Sequence, residues 1–439
     1  MQFYSTNGQC QPASLKEAVM QGLAPDGGLF MPERIPVIPR AFFNNIGEMN
    51  IREISYVVAD LLLGQDIESE EIQKIVNDTF SFDVPLARLD DNIYALELFH
   101  GPTLAFKDVG ARFLARVISH YSGKEGRTVK VIVATSGDSG GAVANGFLNV
   151  PGVEVYVVYP SGCLTQLQRA QFTIPGSNIH PIEVIGNFDD CQRIVKECLA
   201  DQELRRSTGL TSANSINICR LIPQLFYFFH AYASLVHRLG HLPGIVVSVP
   251  CGNLGNLTAG LLAREMGLPI SRFVVANNVN DTTVRYLHTG IFDPRRAVRT
   301  VACAMDVGNP SNIQRIRCIF DTPGHSSLPE ILHGYSYTDE DILGTISDTY
   351  SINSYLTDPH GAAALRALRE DLKEGETGVF LETAHPSKFP RAIESATGVT
   401  FPAVDASSLA KVHIPRISSS ADALKKTLAS QTIGSGATL

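Results

Sequence analysis

The sequence predicts an α/β fold in which buried parallel strands are joined by helical crossovers. Two observations lead there. From Val129 onward, short β-branched runs (Val129 to Ala134, Val153 to Tyr159, Ile179 to Ile185, Ile245 to Val249, Phe273 to Ala276) alternate with amphipathic helical stretches, the texture of strands covered on both faces. Two glycine-rich turns, Thr135-Ser-Gly-Asp-Ser-Gly-Gly141 and Pro250-Cys-Gly-Asn-Leu-Gly-Asn256, directly follow strands and each opens a helix. In open α/β sheets ligands bind beyond the carboxyl ends of the strands, so both turns stand where a site is expected.

Taken in chain order, the first ninety or so residues carry helical periodicity at Leu15 to Leu23, Ile51 to Leu63 and Glu70 to Phe80. These are separated by the turn Ala24-Pro-Asp-Gly-Gly and a proline cluster from Pro32 to Pro39, and are read as an N-terminal helical unit over residues 1–93. A strand-to-loop edge follows late in the chain at Val379-Phe-Leu-Glu-Thr-Ala-His-Pro, before a Ser- and Ala-rich tail from Ser418 to which no site is assigned. There is no internal repeat.

The bulk properties exclude several classes. With 439 residues, 44% apolar and 18% charged, the chain has room for more than one domain and the composition of a globular protein. Its net charge of −8, with no basic stripe, argues against a nucleic-acid partner. No apolar run approaches the roughly 20 residues of a membrane span, and the N-terminus lacks a signal-peptide pattern, so the expected location is cytoplasmic. Eight scattered cysteines without CxxC pairs are read as reduced thiols. His237 and His241 sit four apart on a predicted helix, but with no HExxH and no carboxylate at ligand spacing, no metal site is expected.

Four segments carry candidate chemistry. Gly252-Asn-Leu-Gly-Asn256 leaves backbone N–H groups open to a phosphate at a helix N-terminus, although glycine also serves strand-to-helix turns for geometry alone. It is neither a Walker A loop nor a GxGxxG fingerprint. Ser136-Gly-Asp-Ser139 offers hydroxyls and N–H groups for a carboxylate; Asp138 is unusual there, and a helix N-cap is its plainer reading. His100-Gly-Pro-Thr-Leu-Ala-Phe-Lys-Asp108 sets Lys107 in an apolar segment as a helix begins, where desolvation would make a Schiff-base nucleophile and where a surface lysine is the alternative. Asn214-Ser-Ile-Asn-Ile-Cys-Arg220 ends on an arginine able to fork onto a phosphate or carboxylate, or to sit exposed on a capped helix.

Together these segments, with Ser212-Ala-Asn-Ser-Ile-Asn217, Met305-Asp-Val-Gly-Asn-Pro-Ser-Asn312, Glu382-Thr-Ala-His-Pro386 and Gly22-Leu-Ala-Pro-Asp-Gly-Gly-Leu29, resemble the threonine synthase family, in its long-chain bacterial and fungal branch. The motifs run in one order from residue 22 to 386. The resemblance implies a fold-type II, tryptophan synthase β-like enzyme that uses pyridoxal 5'-phosphate (PLP). Such an enzyme has two open, mostly parallel sheets flanked by helices. A large cofactor-binding α/β domain is expected at 94–128 and 221–439, and a small mobile α/β domain at 129–220.

By the same resemblance Lys107 would hold the cofactor as a Schiff base, and Gly252, Asn253, Leu254, Gly255 and Asn256 would hold its phosphate. Thr383 would face the pyridine nitrogen. Ser136, Gly137, Asp138 and Ser139 would receive the substrate carboxylate, and Asn214, Ser215 and Arg220 its phosphate. Cys251, Leu254, Asn256 and Ser139 depart from the residues frequent in the family (Ser, Phe, Asp and Thr), and none of these changes removes a catalytic group. The implied reaction is γ-elimination of phosphate from O-phospho-L-homoserine followed by addition of water at Cβ, giving threonine. A related lyase releasing a 2-oxo acid and a non-catalytic binding protein are the alternatives, and a monomer is expected by analogy with the branch.

Overall fold

The β-branched runs form strands because side chains of this kind pack well on a pleated surface covered on both sides. The structure, a computed structural model, describes residues 1–125, 128–240, 244–321, 327–402 and 413–430. By packing, the chain divides into two units. One comprises Met1, Pro32–Gly110 and Leu221–Ala403; the other comprises Gln2–Met31, Ala111–Arg220 and Val404–Leu439.

The first unit is built on a six-stranded sheet in the order Leu332–Ser336, Ile270–Asn277, Ile245–Pro250, Gly378–Glu382, Ile93–Glu97, Leu86–Arg88. Registers such as Phe273 to Leu332, Val247 to Val379 and Phe380 to Ala95 are parallel; only the edge strand Leu86–Arg88 is antiparallel to its neighbour. Helix Pro359–Asp371 covers this sheet with Ala362, Ala363, Ala364, Leu365 and Leu368, all fully buried. Its short side chains allow close approach: a Cβ at Gly378 would meet Leu368 Cδ1 at 2.9 Å.

The second unit carries a parallel five-stranded sheet ordered Arg416–Ser418, Ile179–Ile185, Val153–Pro160, Val129–Ala134, Leu210–Ser212. Ile132, Tyr156, Ile182, Cys191, Ile194, Leu424 and Leu428 share its core. Helices Phe188–Ala200, Gln202–Thr208 and Ala421–Ser430 contribute to it. Phe188–Ala200 opens with a capping box between Asn187 and Asp190, and Ala421–Ser430 ends where the buried Lys130 ammonium donates to the Leu428 carbonyl at 2.6 Å.

One reading of the sequence is extended here and one changes. The tail from Ser418 contains an ordered helix, because Leu424 and Leu428, one turn apart, bury completely; its three-residue edge strand is too short to show a period. The first ninety residues are not helical alone. They add a sheet ordered Ala13–Ser14, Gln2–Ser5, Phe30–Pro32, and residues 2–31 pack with the second unit. The Val19 carbonyl accepts from Thr211 Oγ1 at 2.8 Å and Asn217 Nδ2 at 2.9 Å, and Arg205 donates to Leu23 at 3.1 Å. Such long-range contacts leave no trace in local periodicity.

Candidate active site

In the first unit the segment around Lys107 is shaped by two interlocked stretches of chain. Residues 104–106 run antiparallel to 383–385: Ala105 bridges Ala384, the Phe106 N–H donates to the Thr383 carbonyl at 2.9 Å, and the His385 N–H donates to the Leu104 carbonyl at 3.0 Å. Leu104 adopts a left-handed φ of 59°, the sharp step that turns the chain into helix Lys107–Glu125. Asp108, fully buried, accepts from the Thr103 N–H at 2.9 Å and its hydroxyl at 2.6 Å, and a Cβ at Gly101 would collide with it at 2.4 Å. The Lys388 ammonium, also buried, donates to the Thr103 carbonyl at 2.7 Å. Lys107 is thus half-buried at the first residue of a helix, its Nζ 5.6 Å from the Phe106 ring centroid.

Thr383 stands one residue past strand Gly378–Glu382 and is buried, and its hydroxyl makes no hydrogen bond among the described residues. Behind it lies a fully buried acidic pair. Burial, then the neighbouring charge of Asp358, pushes Glu382 well above the carboxylate range. Burial also works against Asp358, but His360 beside it outweighs that cost and holds its pKa down, so Glu382 carries the proton and Asp358 the charge. His360 Nε2 accepts from the Ala304 N–H at 3.1 Å, which leaves the proton on Nδ1, facing Asp358 Oδ1. Asp358 Oδ2 accepts from the Ala384 N–H at 3.3 Å. The network therefore braces Ala384 from one side and Ala304 from the other.

The loop Gly252–Asn256 connects strand Ile245–Pro250 to helix Gly255–Glu265. Leu254, at φ 61°, is the helix N-cap and supplies no side-chain cap; in the first turn the Leu257 N–H is taken by Asn256 Oδ1, while those of Gly255 and Asn256 have no acceptor among the described residues. Gly252 is required by close approach: a Cβ there would meet the Ala304 carbonyl oxygen at 2.4 Å. Asn253 is clasped by the motif at 305–312, its carbonyl accepting from Asn312 Nδ2 at 2.8 Å and its Oδ1 from the Ser311 N–H at 2.6 Å. Asn256 is structural as well, donating to the Pro250 carbonyl at 2.8 Å and accepting from the Leu257 N–H at 2.9 Å. The amide at this position closes the loop by donating, which an aspartate could not do. Leu254, despite departing from the family's phenylalanine, is fully buried.

In the second unit the turn after strand Val129–Ala134 is held by Thr135, whose Oγ1 accepts from the N–H groups of Gly137 and Gly140, each at 2.8 Å. Gly137, at φ 135°, caps helix Asp138–Phe147 without a side-chain bond. Asp138 is therefore not the N-cap; it is the first helical residue, buried, with Gln168 Nε2 at 3.4 Å from its carboxylate. Ser136 and Ser139 are both half-buried on this turn. Asn214 uses its amide on backbone, donating to the Ala134 carbonyl at 2.7 Å and accepting from the Ala134 N–H at 2.9 Å. Ser215 beside it is half-buried, and Arg220 is buried with a guanidinium N–H on the Ala213 carbonyl.

The structure thus gathers Lys107, Thr383 and Gly252–Asn256 in the first unit and Ser136–Ser139, Asn214, Ser215 and Arg220 in the second. Reasoning from sequence missed Asp358, His360, Lys388, Asn312 and Arg315. None lies in a motif to which a role was given, and only the Met305–Asn312 match hinted at one of them. Of the histidine pair considered for metal, His241 lies outside the described residues. Among the described residues no cluster of three His, Cys, Asp or Glu is arranged to hold a metal ion, and no helix is long and apolar enough to cross a membrane. None of the eight cysteines is paired in a disulfide among the described residues.

Known proteins similar to this chain in sequence and in fold point to one family. Residues 82–383 match the family "Pyridoxal-phosphate dependent enzyme", residues 2–80 match "Threonine synthase N terminus", and residues 360–422 match "Threonine synthase, C-terminal". The threonine synthase of Haemophilus influenzae is 42% identical over 402 residues, covering 92% of each chain. The crystal structure of threonine synthase from Escherichia coli superposes with a TM-score of 0.91 at 38% identity, covering 98% of this chain and 100% of that one. The PLP-bound threonine synthase from Brucella melitensis gives a TM-score of 0.87 at 30% identity, covering 99% and 100%. This chain, an α/β protein with the fold-type II architecture, belongs to the threonine synthase family of pyridoxal-phosphate-dependent lyases.

Proposed function

We propose that the chain converts O-phospho-L-homoserine into L-threonine and phosphate. The observation that carries this is the pairing of Phe106 with Thr383, which sets a lysine at a helix start beside a buried hydroxyl that makes no hydrogen bond among the described residues. The residues fit pyridoxal phosphate. An uncapped helix N-terminus behind Gly252 suits a phosphate, Lys107 suits an aldehyde, and the neutral Thr383 hydroxyl suits a pyridine nitrogen. When bound, the cofactor supplies an electron sink that acidifies the substrate Cα and Cβ positions.

Lys107 is the residue that would hold the cofactor, and its freed amine would take the proton from Cα. Gly252, Asn253, Leu254, Gly255 and Asn256 would hold the cofactor phosphate, with the side chains of Asn253 and Asn256 serving to shape the loop and the backbone N–H groups doing the binding. Thr383, a hydroxyl where a carboxylate would protonate the ring, would keep the sink mild. Ser136, Gly137, Asp138 and Ser139 would seat the substrate carboxylate, with Thr135 keeping the turn open. The substrate phosphate would be held by Ser215 and Arg220, while Asn214, whose amide is engaged by Ala134, would fix the segment that carries them.

The test incubates the purified protein and PLP with O-phospho-L-homoserine, measuring phosphate and carbon product together, beside Lys107→Ala. Threonine and phosphate in equal amounts, lost in the variant, are expected. Phosphate released with a 2-oxo acid in place of threonine would transfer the assignment to the related lyase.

A further inference from the structure

Arg315 has an unusual environment for an arginine: it is 0% exposed, on helix Ile313–Phe320. Its Nη1 donates to Asn312 Oδ1 at 2.7 Å. Asn312, also 0% exposed, donates from Nδ2 to the Asn253 carbonyl at 2.8 Å. That carbonyl belongs to the peptide whose other end is the Leu254 N–H, within the loop Gly252–Asn256. A buried cation is therefore joined by two hydrogen bonds to the backbone of the loop.

Keeping a guanidinium charged away from water is costly. Burial lowers the Arg315 pKa to about 9, which still leaves it charged at neutral pH. An anion brought close in a medium of low dielectric constant offsets that cost. The chain of hydrogen bonds points the same way. A cation on Asn312 Oδ1 strengthens the Asn312 amide as a donor, and that amide in turn polarises the Asn253–Leu254 peptide so that its N–H becomes a better donor to an anion.

We propose that Arg315 is a positioning residue for the cofactor phosphate, acting through Asn312 and the Asn253–Leu254 peptide, and that it sets the preference of this site for a phosphorylated over an unphosphorylated pyridoxal. The proposal rests on the reading of Gly252–Asn256 as the phosphate loop. A side chain that only held Asn312 in place would be needed equally for either form.

The experiment titrates the full-length, cofactor-depleted protein with PLP and, separately, with pyridoxal, following the absorbance of the bound cofactor. The wild type is expected to favour PLP strongly. Arg315→Met is expected to lose about tenfold in PLP affinity, the scale of one charge-assisted interaction, with pyridoxal affinity little changed; Arg315→Lys, which keeps the charge, should recover part of the ratio. Should Arg315→Met not fold, the nearly isosteric Asn312→Asp, which neutralises the guanidinium and removes the donor to Asn253, is expected to lower the ratio in the same direction. Affinities for both compounds falling together in a folded variant, or an unchanged ratio, would overturn the proposal. A wild type that binds both compounds equally well would instead overturn the phosphate-loop reading itself.

Discussion

The Phe106 N–H donates to the Thr383 carbonyl at 2.9 Å, and this bond places Lys107, the next residue, beside a strand end almost three hundred residues further along the chain. The lysine and the threonine hydroxyl are thus positioned by the same two-residue ladder. Changes to either side chain should alter chemistry while leaving the ladder, which is backbone, in place.

Lys107→Ala is accordingly expected to lower turnover by roughly a thousandfold or more, the scale of a lost acid–base group. Its circular dichroism and melting profile should match those of the wild type measured without cofactor. Retained threonine formation would remove Lys107 from the mechanism.

Thr383→Val keeps the shape of the side chain and removes its hydroxyl. Because that hydroxyl makes no hydrogen bond among the described residues, stability should hardly change, while kcat should fall about tenfold from loss of one hydrogen bond to the cofactor ring. A visible-absorbance shift of the bound cofactor is the companion measurement. A large drop in thermal stability without a spectral change would assign Thr383 a packing role.

Gly252→Ala introduces a Cβ where the Ala304 carbonyl oxygen would lie at 2.4 Å. The loop must move, so PLP affinity is expected to fall by about tenfold or more, read by titration and by a smaller rise in Tm on adding PLP. Equal PLP affinity in the two proteins would show that the loop tolerates displacement.

Asn214→Ala separates bracing from binding. The Ala134 N–H and carbonyl would lose their partner, and a cost of about 1–3 kcal/mol in stability is expected. Arg220→Lys, in contrast, should raise KM for the phosphorylated substrate more than it lowers Tm. If Asn214→Ala changes KM alone, the side chain binds substrate after all.

Acid stability should report the ion pair between Arg272 and Glu376, joined at 2.6 Å and 2.8 Å. The hydrogen bond from Arg272, against a smaller effect of burial, brings the Glu376 pKa from 4.5 down to about 2. A carboxylate with a depressed folded-state pKa stabilises the fold above its unfolded value, and that contribution disappears as pH falls through the folded one. Glu376→Gln should therefore destabilise by about 1 kcal/mol at pH 7, a figure reduced by solvent screening of a partly exposed pair, and the difference should fade between pH 4.5 and pH 2. Parallel melting curves down to pH 2 would contradict the assignment.

The amino-acid sequence by itself determined the elements whose signals are local. Strands Val129–Ala134 and Ile179–Ile185 and helix Ile51–Leu63 fall where β-branched runs and a helical period place them, and both glycine-rich turns open helices. Those signals are legible because period, propensity and turn chemistry act over a few neighbouring residues. The family too was legible, since its motifs keep their residue types and order along the chain. What only the tertiary structure decided were pairings across long sequence separations: Asn214 with Ala134, residues 2–31 with the second unit, Asp358 and His360 behind Thr383, and Arg315 reaching Asn253 through Asn312. Whether a polar side chain meets a ligand or a backbone carbonyl depends on what the folded chain brings within about 3 Å of it, and no local pattern encodes that distance.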